Sequence, residues 1–150
     1  MPSTIGEVPN PHIRDFQRKR VYEAEEQCVF WNKLDILSLD KIDNLVNRIA
    51  KSFGINPPSI YLGDKKSPLI AYATTTKLVL PFPIAKSVPF ICHEMSHVIN
   101  YQLGPADHHG PHFAKAYLEV IKQFMGNPEF VELRQAFDVK HVNYKEVILV

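Results

Sequence analysis

Between Phe90 and Phe113 the chain reads FICHEMSHVINYQLGPADHHGPHF, and its prolines and glycines dictate the local fold before any side-chain chemistry is considered. Ser87 offers an N-cap and Pro89 suits a first helical turn, while Gly104 and Pro105 stop the helix near Gln102. Pro111 opens a second helix that Gly126 closes. The stretch therefore predicts helix, reversal, helix. Five of the seven histidines lie inside it.

On the first of these helices Ile91, Met95, Val98, Ile99 and Gln102 share one side, and His93 and His97 fall on roughly the opposite one. Histidines four apart project from one face, close enough to supply two corners of a zinc tetrahedron. Glu94 stands one residue round the helix, badly placed to ligate but able to take a proton from water that the cation polarises. This is the HExxH pattern. A catalytic zinc also needs a third protein ligand. The metzincin spacing would put histidine at 103, where the chain has Leu103. A downstream glutamate at Glu119 points away from the packing face set by Phe113, Ala116, Tyr117, Val120, Ile121 and Phe124, so it is expected in solvent. His108, His109 and His112, delivered by the reversal, remain as candidates.

HEMSH followed by HGPHF resembles the SprT-like zinc metallopeptidases, including the Spartan proteases, whose signature is HExxH followed by HGxxF. The resemblance spans roughly residues 39–124. It implies His93, His97 and His109 as the Zn2+ ligands, Glu94 as the catalytic base, and Gly110 and Phe113 as the rest of the second motif. His112 stands where relatives often carry an acid and is expected in an exposed first turn, with substrate contact as the other reading. Many such proteins continue into a cysteine-bearing zinc ribbon or DNA-binding tail. This chain has no cysteine after Cys92, so DNA association rests on the resemblance alone.

The rest of the chain predicts a single α+β domain. Residues 1–11 hold three prolines and little periodicity, which suggests a loose arm. Val21, Ala24, Cys28 and Trp31 continue a near-helical apolar spacing from Ile13, giving a first helix or broken pair of helices. Its polar residues, basic at Arg14, Arg18, Lys19 and Arg20 and acidic at Glu23, Glu25 and Glu26, are expected to form a solvated face. Trp31 is expected in the core. A clear helix runs from Leu39 to Phe53 with Gly54 as its stop. Short strands are expected at 59–62, 69–73 and 77–80, the last two flanking a Thr74–Thr76 turn, with a last helix at 129–137 and a strand at 142–150.

A net charge of +1 provides no field to hold a polyanion. Two cysteines 64 positions apart make no disulfide framework and suit buried thiols in a reducing compartment. MPSTIGEVPNPH lacks the basic start and apolar core of a signal peptide, and no run reaches the apolar length of a membrane span. A cytoplasmic protein with no membrane partner is the expectation. The expected architecture is a compact zincin, a short twisted sheet packed on helices, acting on a protein or peptide. The strand at 77–80 is a place for substrate to add, and Tyr117 is a further oxyanion donor if it is not core. Two other functions fit the same residues: a zinc-stabilised binding protein without catalysis, and a zinc amidase acting on a non-protein substrate such as a cell-wall crosslink.

Overall fold

The computed structural model describes residues 15–33, 35–62, 71–80 and 87–145. The arm expected over 1–11, His12, Ile13 and the beginning of the strand expected at 69–73 lie outside the described residues. Those described form five α-helices and a small mixed sheet: α1 (Arg18–Gln27), a 3-10 turn (Phe30–Asn32), α2 (Leu39–Phe53), β1 (Ser59–Leu62), β2 (Tyr72–Ala73), β3 (Lys77–Leu80), α3 (Val88–Leu103), α4 (Pro111–Phe124) and α5 (Asn127–Val139). The α+β expectation stands, and α2 has the boundaries read from its pattern.

The helix ends follow from the punctuation. Ser38 caps α2, its hydroxyl accepting from the Lys41 amide, and Gly54 ends it in the left-handed conformation at φ 67°. Ser87 occupies the N-cap position of α3 without using its side chain, and Pro89 lies in the first turn. The hairpin turn lacks Gly or Asn because Thr74 does the work: its hydroxyl accepts from the amides of Thr76 and Lys77.

In the sheet the strand order is β1–β3–β2, with β1 parallel and β2 antiparallel to β3. This corrects the expectation that residues 77–80 receive substrate. Ser59 to Leu62 pairs with one side of β3, and Tyr72 and Ala73 pair with the other, so its backbone groups are already engaged. Among the described residues the edge on that side is β2.

The described part of the segment expected as a final strand, 142–145, is not one. His141, at φ 58°, turns the chain, and the amides of His141 and Val142 bond back to Asp138 and Phe137. That pattern is a Schellman cap, with Val142 buried beneath it.

α3 is the centre of the core. Every residue from Ile91 to Tyr101 is buried, including His93, Glu94, Ser96, His97 and Asn100. Its apolar side meets α2 and the sheet, and α4 packs along it. The histidine side, expected opposite the apolar stripe, is covered as well. A helix buried all round must have its polar groups satisfied by neighbours, and those neighbours build the site. Cys28 and Cys92 are buried free thiols, as expected, each pushed up to about 12 by burial. No helix among the described residues is long and apolar enough to cross a membrane.

Candidate metal centre

His93 and His97 leave α3 one turn apart, and His109 reaches them from the 104–110 reversal. One nitrogen from each lies within 4.8 Å of the other two, and all three residues are buried. The reversal is tightly wound. Asp107 caps α4 from outside the helix: its carboxylate accepts from the amides of His112 and Phe113 and from the Asn100 side chain at 2.8 Å. A Cβ on Gly110 would stand 2.5 Å from Asp107 Oδ2 and 2.9 Å from the Asp107 carbonyl, so only glycine admits this carboxylate. Ala106 and His108 adopt left-handed backbone at φ 53° and 60°. Strained backbone next to a ligand is held by its surroundings, here by the Asp107 cap.

Two of the three imidazoles are gripped by carboxylates. His93 Nδ1 meets Glu25 Oε2 at 2.5 Å, and the Tyr117 hydroxyl donates to the same oxygen at 2.7 Å. His109 Nδ1 lies 3.0 Å from Asp15 Oδ2, its amide donates to Asp15 Oδ1, and Gln17 donates to its carbonyl. A carboxylate partner fixes the proton on Nδ1 and frees Nε2 as the lone-pair donor, the usual support of metal-binding histidine. His109 Nε2 and His97 Nδ1 are buried without a hydrogen-bond partner among the described residues. Unpaired buried nitrogens are costly, and a cation shared with His93 and His97 would satisfy that of His109, whose Nδ1 is already taken by Asp15. The residues present fit a metal ion.

Electrostatics follow from this burial. His97 is held well below the ordinary imidazole range by burial and by the neighbouring histidines. Burial also lowers His109, against the opposing pull of Asp15. For His93 burial acts downward, and Glu25 with Glu94 more than reverses it. Glu94 is pushed up to about 7, chiefly by burial.

The centre floors a cleft of about 400 Å³ whose walls include Ala71 to Thr74, Tyr101, Arg18 and His108. A second cavity of about 300 Å³ opens on the His93 side between Tyr22, Trp31, Phe90 and Glu26. Trp31, expected in the core, is half-buried and stacks on Phe90 with ring centroids 5.9 Å apart.

His93, Glu94, His97 and His109 thus come together. His112 does not join them: its ring nitrogen bonds Asp107 at 3.0 Å beside the start of α4. Tyr117 lies under the centre, fully buried with its hydroxyl engaged by Glu25, so it does not face the cleft. Glu119 is exposed, as expected.

Sequence reasoning missed Asp15, Arg18, Tyr22 and Glu25. Glu25 was expected in solvent and is 1% exposed. A signal was present: these four residues are spaced three, four and three apart, one stripe of a helix whose other stripe, Val21, Ala24 and Cys28, is apolar. Comparison with protein-family models, curated proteins and solved structures finds no match to this chain.

Proposed function

We propose that the protein is a zinc-dependent endopeptidase of the SprT-like kind, with a zincin-like arrangement of a small sheet over a buried HExxH helix. The observation that carries the reading is the convergence of three buried histidines beside a buried carboxylate at the floor of an open cleft. Three protein ligands with one position left open are the mark of catalytic zinc sites, whereas structural sites use four.

His93, His97 and His109 would hold the zinc, which when bound would supply Lewis-acid activation of water and carbonyl. Glu94, one residue round α3 from the first ligand, takes the proton of the attacking water and returns it to the leaving amine. Glu25 and Asp15 keep His93 and His109 in the ligating tautomer. β2 forms a wall of the cleft, and its edge offers backbone groups to an extended peptide laid beside it. An extended segment of unfolded protein is therefore the substrate class.

Metal analysis of the purified protein with a casein cleavage assay tests the reading. About one zinc per chain and cleavage by the wild type are expected, with Glu94→Gln retaining zinc and losing at least about 100-fold in rate, the scale of general-base catalysis. Undiminished cleavage by Glu94→Gln would overturn the assignment of the base. A wild type that holds zinc and cleaves nothing leaves a metal-stabilised binding protein.

A further inference from the structure

We propose that Tyr22 is a catalytic residue of this centre, its hydroxyl donating a hydrogen bond to the carbonyl oxygen that gains charge when water attacks. The inference rests on the peptidase reading and adds to it a residue to which the HExxH and HGxxF motifs assign no part.

A polar stripe runs from Asp15, just before α1, along α1 to Glu25. Its outer members are anchored: Asp15 holds His109, and Glu25 holds His93. Fixing both ends of the stripe on two ligands of one ion places its middle, Arg18 and Tyr22, over the space between them. The ring contacts agree. The Tyr22 ring lies 6.1 Å from that of His93 and 5.2 Å from that of His109, centroid to centroid.

Tyr22 also borders both cavities. Among the described residues, Tyr22, Ala71, His93 and Glu94 alone line both the 400 Å³ cleft and the 300 Å³ cavity. Those four are a ligand, the base, the residue entering the edge strand, and one hydroxyl donor. A peptide running from one cavity to the other passes its scissile carbonyl between them.

Arg18 lies against the donor. It stands one turn before Tyr22 on the same face and holds its guanidinium carbon 5.7 Å from the ring centre. The other tyrosines are less suited. Tyr117 is engaged by Glu25, and Tyr72 and Tyr101 line the cleft alone. A donor aimed at developing charge contributes about 10²- to 10³-fold in rate.

The test uses the full zinc-loaded chain and Tyr22→Phe, which keeps the ring contacts. Zinc affinity by chelator competition and the visible spectrum of the cobalt-substituted protein are expected to match the wild type. Turnover on an unfolded protein is expected to fall about 100-fold with KM within about threefold. Affinity for a phosphinic pseudopeptide, whose tetrahedral oxygens imitate the attacked carbonyl, is expected to fall at least tenfold. Arg18→Ala should reproduce part of that loss. Wild-type turnover and inhibitor affinity in Tyr22→Phe would overturn the proposal, as would the same losses in Tyr101→Phe in place of Tyr22→Phe. A wild type that neither cleaves nor binds the phosphinic peptide would remove the peptidase reading and this inference together.

Discussion

Glu25 carries two hydrogen bonds on one carboxylate oxygen, from the His93 ring and the Tyr117 hydroxyl, at a position 1% exposed. Both donors strengthen with a charged acceptor. Glu25→Gln keeps the shape and removes the charge, leaving at best a neutral amide oxygen where both donors meet, so His93 keeps a weaker partner for its Nδ1 proton. The expected result is a 10- to 100-fold loss of zinc affinity by chelator competition, with a smaller loss in Tyr117→Phe. Unchanged affinity in Glu25→Gln would show that packing alone orients His93. The same residue marks where sequence reading stops. His93 and His97 were legible because helical geometry places residues four apart on one face, and that relation is local. Glu25 is 68 positions from His93 and stands beside Glu26, which is exposed. Only the packing of α1 over α3 separates the two.

Among the elements, the helix ends at Gly54 and Gly104 could be read because glycine and proline act through their own backbones. Pairing could not. Nothing in KLVL at 77–80 states that both of its sides are occupied, and the distinction moves the open edge beside the cleft from β3 to β2 among the described residues. The close of α5 was also misread, for an identifiable reason. The cap there is a Schellman turn with histidine in the left-handed position that glycine usually takes, so the expected stop signal was missing. That gives a direct test. A left-handed conformation costs an L-residue about 1–2 kcal/mol, and glycine gives back part of this in chain entropy. His141→Gly should therefore stabilise the protein by about 0.5–1 kcal/mol in urea unfolding, leaving metal affinity unchanged. Among the described residues Arg20 bonds the His141 carbonyl, which the substitution retains. Destabilisation would mean that the imidazole makes a contact worth more than the backbone strain.

At the scale of the whole molecule, the metal centre joins parts that the apolar core joins unequally. α2, α3 and α4 contribute deeply buried apolar residues, and α1 with its C-cap adds Val21, Ala24 and Cys28, α1 packing on α5. Towards α3, however, Asp15 before α1 and Arg18, Tyr22 and Glu25 on it present polar groups that meet the histidine cluster. An ion on those histidines and the docking of α1 with the 104–110 reversal are thus linked, and each favours the other. Chelation should lower the melting temperature, because free zinc at 100 times its Kd adds about 2.7 kcal/mol to the native state. The distribution of the effect is more telling than its size. Hydrogen exchange after metal removal should quicken first over residues 15–27 and 104–113, while the amides of α2, whose stripe of Ile42, Leu45, Val46 and Ile49 meets the core without touching the centre, keep their protection. Equal loss of protection in α2 and α1 would show that the ion stabilises the domain as one unit. Loss confined to the two segments would make the ion the clasp that closes α1 over the histidine cluster, bringing Tyr22 and the three histidines into place together.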